Sequence, residues 1–165
     1  MITLAELQKL HINILTSKVC YTVLMHKPFY ASGFLYNLKT NQILLLCSPD
    51  DTKSSYSMLG GEGYAGEEAQ TAFQRVINKL LNLNLKAKDI YPIYDYFHET
   101  QGKINYVFYA EVKRTPNFKS IKANTLSWVT FNETLKLLFS DHTKQDIIVG
   151  ERVINLKWRL DQHLQ

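Results

Sequence analysis

Cysteine, glycine, clustered histidine and clustered basic charge are all sparse in this chain. Its two cysteines, Cys20 and Cys47, share no C-x-x-C spacing. That excludes a disulfide-stapled scaffold and a thiolate zinc site, and both thiols are expected to be buried and reduced. The five histidines contain no H-x3-H pair, so no histidine zinc motif exists either. The net charge is +4, but no run of five or more Lys or Arg occurs. Such dispersion points away from nucleic acid and from membrane surfaces, and leaves an anionic small molecule as the partner a basic balance favours. No apolar run approaches the roughly 18 residues of a membrane helix. The N-terminus has no basic stretch followed by an apolar run and a small-residue cleavage site, so the expected compartment is a reducing cytoplasm. G-x-S-x-G is absent, neither cysteine sits in a protease-like context, and no glycine-rich stretch ends in Gly-Lys-Ser/Thr. A serine or cysteine hydrolase and a P-loop nucleotidase are therefore not expected.

Glycine is the most informative scarcity. The chain has seven, and four of them (Gly60, Gly61, Gly63 and Gly66) are crowded into one short stretch. A cluster of this kind predicts a loop over 59–66 whose backbone takes positive φ or lets something approach closely. Immediately afterwards the composition changes. From Glu67 to Leu83 there is no Gly or Pro, and apolar residues recur at Ala69, Ala72, Phe73, Val76, Leu80 and Leu83. Steps of three and four predict a helix over 69–81 with one apolar stripe. Glu67 and Glu68 would lie in its first turn, where the macrodipole favours negative charge. Asn82, at its end, tolerates the left-handed conformation that closes many helices.

A glycine loop feeding such a helix resembles the signature of the Nudix hydrolases, G-x5-E-x7-R-E-U-x-E-E-x-G-U, where U is bulky and apolar. With the first glycine at Gly61, the first glutamate falls on Glu67, the arginine on Arg75, and the apolar positions on Ile77 and Leu83. The match runs over 61–83 without a gap. It fails at the catalytic centre: where the family carries three glutamates after the arginine, this chain has Val76, Lys79 and Leu80. The last glycine of the motif is Asn82, the proline that often precedes the paired glycines is Leu59, and a loop position that is often acidic is Tyr64. In the family those glutamates hold magnesium or manganese against a diphosphate. Hard cations need anionic oxygen ligands; valine and leucine supply none, and a lysine repels the ion. Positions 75, 76, 79 and 80 share one helix face, which here is a cationic and greasy wall.

With 165 residues, 45% of them hydrophobic and 21% charged, the chain is read as one globular domain over 1–165. The resemblance implies an α/β/α sandwich around a mixed sheet. Residues 1–28 read as an N-terminal extension packed on that domain: Thr3 caps a short helix with Leu4, Leu7, Leu10 and Ile14 on one face, and a strand runs from Val19 to Met25, with a dimer contact as the alternative to packing. A hairpin is expected over 31–48 around Lys39-Thr40-Asn41, followed by a polar surface loop over 49–57 in which Asp50 and Asp51 are solvated. A second hairpin joins Ile90–His98 to Lys103–Val112 through Thr100-Gln101-Gly102. Alternation sends Tyr94 and Tyr96 to one face of its first strand, and Tyr106 and Phe108 to one face of its second. These aromatics are read as core or cross-strand pairs, with a platform for a flat ring as the alternative. Leu126–Thr130 reads as a strand and Asn132 as the cap of a helix Glu133–Phe139. A last helix, from about Thr143 to Leu164, carries Val149, Val153, Leu156, Leu160 and Leu164 on one stripe that docks on the sheet or forms a homodimer seam.

These readings, together with the resemblance, imply a nucleotide-like diphosphate held without hydrolysis. The ligand-binding candidates are Gly60, Gly61, Arg75, Lys79, Tyr94 and Tyr106, with Lys79 doing part of the work of the missing cation. No metal ligand set and no cofactor are expected. The alternative is a magnesium-dependent pyrophosphohydrolase of nucleoside-diphosphate derivatives that draws carboxylates from outside the motif. Its candidates are Glu67 and Glu68 for catalysis, with Glu62, Glu99 and Glu151 in reserve. The competing role for Glu67 is a salt bridge to Arg75 that braces the loop.

Overall fold

A computed structural model describes residues 28–49, 54–116, 118 and 124–163. The expectations for residues 1–27 and for Asp50 and Asp51 lie outside the described residues. Within them, eight strands form one mixed sheet: β1 (Phe29–Asn37), β2 (Gln42–Ser48), β3 (Ser55–Ser57), β4 (Leu59–Glu62), β5 (Ile90–His98), β6 (Lys103–Val112), β7 (Thr125–Thr130) and β8 (Leu138–Phe139). The helices are α1 (Ala69–Leu81), the short α2 (Phe131–Thr134) and α3 (Asp141–His163). Among the described residues, no helix is long and apolar enough to cross a membrane.

The centre of the sheet is β1, which runs parallel to β6 from Phe29↔Ile104 to Asn37↔Val112. It is buried on both faces, which is why FYASGFLYN reads as a nearly continuous apolar run rather than an alternating one. Alternation then sorts its side chains into two layers. Ala31 and Leu35 face α1, where Phe73, Ile77 and Leu81 close over them. Phe34 and Tyr36 face the opposite way, toward Ile147 and Ile154 of α3. The expected sandwich, helix–sheet–helix, follows from these two clusters.

Several local expectations change. The stretch 59–66 is not all loop, because Leu59–Glu62 is strand β4 and pairs antiparallel with β1. Of the four clustered glycines, only Gly66 takes positive φ, at 78°. Gly60 and Gly61 are glycine because of close approach: a Cβ on Gly60 would stand 2.7 Å from the Ala31 carbonyl oxygen, and one on Gly61 would stand 2.8 Å from a Val76 methyl. Glu67 and Glu68 precede α1 instead of filling its first turn, and Glu68 is the N-cap residue without a side-chain cap bond. Asn82 does close the helix, at φ 52° and ψ 47°. The polar segment 49–57 contains β3, which joins β2 to β8. Thr130, not Asn132, caps α2 through a reciprocal box with Glu133, and Leu138–Phe139 is a strand, not the end of that helix.

The last helix docks on a different stripe from the one expected. Its buried residues are Asp146, Ile147, Gly150 and Ile154, whereas Leu156 and Leu160 are exposed. Gly150 belongs to the docking stripe because a Cβ there would meet the Phe34 ring at 2.7 Å. Packing on the sheet therefore runs from Asp146 to Ile154, Lys157 pairs with Glu111 of β6 at 3.0 Å, and the residues beyond it are exposed.

Candidate functional site

One edge of β1 is shared between two partners. β4 pairs with it over Tyr30–Gly33 and β2 over Leu35–Asn37. Where the two partners diverge, on the face covered by α3, a cavity of about 740 Å³ opens. Strands β1, β4, β5 and β6 supply Tyr30, Ser32, Gly60, Glu62, Tyr96, His98, Lys103 and Asn105; α3 supplies His142 and Asp146, and Leu80 of α1 forms part of the apolar rim.

The floor is a chain of hydrogen bonds. Ser32 Oγ donates to Asn105 Oδ1 at 3.0 Å, and Asn105 Nδ2 donates to the Tyr96 hydroxyl at 3.0 Å. On the α3 side, the Tyr94 hydroxyl donates to Asp146 Oδ1. Asp146 is 1% exposed. Burial pushes its carboxyl above the usual range, against the pull of the Tyr94 donor and of nearby His142. Burial, and then the hydrogen bond to Asp146, also hold the Tyr94 phenol above its ordinary value. Above this floor stands a ladder of flat rings. Tyr94 stacks on Tyr96 at 5.6 Å, Tyr96 on His142 at 5.4 Å with only 8° between the planes, and His142 faces His98 at 4.8 Å.

The sequence candidates do not converge on one place. Gly60 lines the cavity, while Gly61 is in the same strand with Val76 packed against it. Tyr94 and Tyr106 lie on opposite faces of the sheet: Tyr94 reaches α3, whereas Tyr106 packs edge-on to Phe29 at 5.6 Å on the α1 side. One ligand ring therefore cannot rest on both. Arg75 is committed elsewhere. Its Nε and Nη2 donate to the two oxygens of Glu67 at 2.7 and 2.8 Å, its Nη2 also to the Glu62 carbonyl at 3.0 Å, and its guanidinium lies 3.8 Å from the Tyr64 ring centroid. Glu67 thus braces the segment that leads into α1, and the Arg75 guanidinium holds its carboxyl below the usual glutamate range. Lys79 is exposed on α1 and Glu68 is exposed before it, both outside the cavity lining. Glu99 lies in the β5–β6 turn and Glu151 on α3, also outside the lining. Glu62 does line the cavity, where it pairs with Lys103 at 2.6 Å. Among the described residues, no group of three or more His, Cys, Asp and Glu side chains is arranged to hold a metal ion.

Sequence reasoning missed Ser32, Lys103, Asn105, His142 and Asp146. They come from three separate elements, and only the parallel register of β1 with β6 and the docking of α3 bring them together. One local signal existed: Asp146 and Gly150 interrupt an otherwise apolar docking stripe.

No protein-family model and no curated protein matches this chain. Solved structures do match. A MutT/Nudix family protein from Listeria innocua superposes with a TM-score of 0.63 at 19% identity, over 81% of this chain and 98% of that one. This chain has the Nudix fold. The NUDIX domain of Shewanella oneidensis NrtR, solved with ADP ribose, matches with a TM-score of 0.60 at 10% identity, over 76% and 87% of the two chains. The C-terminal domain of mouse MUTYH, solved in complex with human PCNA, gives 0.59 at 13% identity, over 78% and 90%. On the Nudix fold, then, the motif-like segment 61–83 comprises the end of β4, the Glu67–Arg75 brace and α1, and α1 turns Leu80 toward the cavity.

Proposed function

We propose that this chain is a Nudix-fold binding domain that holds a nucleotide-type diphosphate in the cavity beside β1 without hydrolysing it. The observation that carries the reading is the character of α1 at the motif positions: Val76 packs on Gly61, Leu80 rims the cavity, and Lys79 is exposed. A hard divalent cation needs several anionic oxygens converging on one point, and this face does not fit one. Without a bound cation at that face, the fold has no means there of polarising a phosphoryl oxygen or generating hydroxide. The neighbouring cavity keeps what binding requires. It has the volume of a small-molecule site, a polar floor in Ser32 and Asn105, and a stack of rings to receive a flat heterocycle. The ADP ribose bound to the NrtR domain is consistent with a diphosphate ligand on this fold.

The test is titration calorimetry of ADP-ribose and of nucleoside diphosphates, with a chelator and then with magnesium, coupled to chromatography of the products. Binding that survives the chelator, with ligand recovered intact, is the expected result. Magnesium-dependent turnover, or uptake only when magnesium is present, overturns the reading and restores the pyrophosphohydrolase alternative.

A further inference from the structure

We propose that Lys103 is the anion-holding group of this cavity and that Glu62 is a latch on it, displaced by the phosphates of the ligand. The inference rests on the diphosphate reading above and assigns the groups that carry it. The two residues stand at strand ends on the cavity wall: Glu62 is the last residue of β4 and Lys103 the first of β6. Their ion pair is short, at 2.6 Å, but lopsided, since the Lys103 side chain is 19% exposed and that of Glu62 is 57% exposed. The lysine is held in the wall while the glutamate reaches it from solvent. The Glu62 backbone is pinned, because its carbonyl accepts a bond from Arg75 Nη2 at 3.0 Å. Release therefore needs only side-chain rotation, and the freed carboxylate returns to water with little further change in solvation.

The imidazoles of His98 and His142 complete the anion site. His98 is the register partner of Lys103 across the β5–β6 hairpin, and its ring centroid is 4.8 Å from that of His142. Thr100 Oγ1 lies 3.0 Å from His98 Nδ1, which occupies one ring nitrogen and leaves the other for the cavity. A phosphate offers Lys103 a stronger partner than one carboxylate, and it offers the imidazoles acceptors that Glu62 does not. Arg75, already bidentate on Glu67, and the exposed Lys79 take no part. In its resting state the site holds a substitute anion of its own, so ligand binding exchanges one ion pair for another and does not create a charge contact from nothing.

ADP titrated calorimetrically in the presence of a chelator tests this on the full chain. Lys103→Met should weaken ADP binding by about tenfold or more, Lys103→Arg should keep most of it, and Lys79→Ala should leave it unchanged. Glu62→Gln should tighten binding, by up to about fivefold, because it unlatches the lysine. Should Lys103→Met fail to fold, Glu62→Gln and Lys103→Arg still decide. Native ADP binding that ignores Lys103, or that weakens in Glu62→Gln, overturns the latch alone and leaves the diphosphate reading standing. Failure of both the native chain and Glu62→Gln to bind ADP or ADP-ribose overturns the reading and the latch together.

Discussion

Replacing Glu67 with glutamine separates a bracing role for this residue from a catalytic one. Its carboxylate accepts Arg75 Nε at 2.7 Å, Arg75 Nη2 at 2.8 Å and the Tyr64 backbone N–H at 2.9 Å. The side chains are 11% exposed for Glu67 and 29% for Arg75, so the pair is neither a surface contact nor fully buried. Exposed pairs contribute about 0.2–1 kcal/mol, and breaking a buried pair costs about 3–5 kcal/mol. Glutamine keeps one acceptor oxygen but loses the charge and the second acceptor, and it leaves a guanidinium half out of water. We therefore expect Glu67→Gln to cost about 2 kcal/mol, which in a chain of this size lowers Tm by roughly 4–8 °C. The pH dependence has a definite sign. Arg75 holds the Glu67 carboxyl below its ordinary range, so the contribution is fully present above the unfolded glutamate value of about 4.3 and is lost as pH falls through the lower folded value. Thermal melts of the native chain and Glu67→Gln at neutral pH and at pH well below about 4.3 measure both effects. A neutral-pH difference below about 0.5 kcal/mol, or a difference that fails to shrink in acid, refutes the brace.

The remaining expectations follow from individual contacts. Gly33→Ala places a Cβ 2.0 Å from the Phe108 carbonyl oxygen across the β1–β6 pairing, so urea unfolding should show a loss of about 3 kcal/mol or failure to fold. Asn82 closes α1 in the left-handed region; Asn82→Ala should cost about 1 kcal/mol in a thermal melt, and Asn82→Gly should cost nothing. Asp146 titrates above its ordinary value because it is buried, so the stability given by its protonated form is complete below the unfolded value of about 3.9 and is lost as pH rises through the folded one. Urea unfolding across that window should therefore show the native chain losing ground to Asp146→Asn as pH rises, and a constant difference argues against a perturbed carboxyl.

What could be read from the sequence was whatever local periodicity and steric rules determine. The bounds of α1 were legible to the residue, because apolar steps of three and four mark a helix that buries one face on a sheet. Its stripe was read partly off centre: Ala72 and Phe73 are buried together with Ile77 and Leu81, whereas Val76 and Leu80 are only half-buried. Both hairpins were legible because turn residues punctuate them: Asn41 and Gly102 take the positive φ that their turns require. The glycine cluster was legible as a constraint, with its kind left open between two causes. Positive φ and close approach leave the same residue in the sequence, and only the β4–β1 pairing shows that Gly60 answers to a carbonyl of the next strand. The stripe on α3 failed for a related reason. Periodicity counts apolar residues, but the residues that touch the sheet include Gly150, chosen to admit the Phe34 ring, and Asp146, chosen to receive the Tyr94 hydroxyl.

The cavity was the least legible feature, and the cause is its chain topology. Lys103 and Glu62 are 41 positions apart, and Ser32 and Asn105 are 73 apart. No pattern within one element encodes such pairs; they follow from register. The motif resemblance pointed to charge on α1, because in the family the chemistry is carried there. On the proposed reading, with Val76, Lys79 and Leu80 at the motif positions, α1 keeps its packing duty and the anion is held by strands that the motif does not include. Side chains that face a common cavity from β4, β5, β6 and α3 meet that requirement, and for that reason the tests of function fall on Lys103 and Glu62 rather than on the helix.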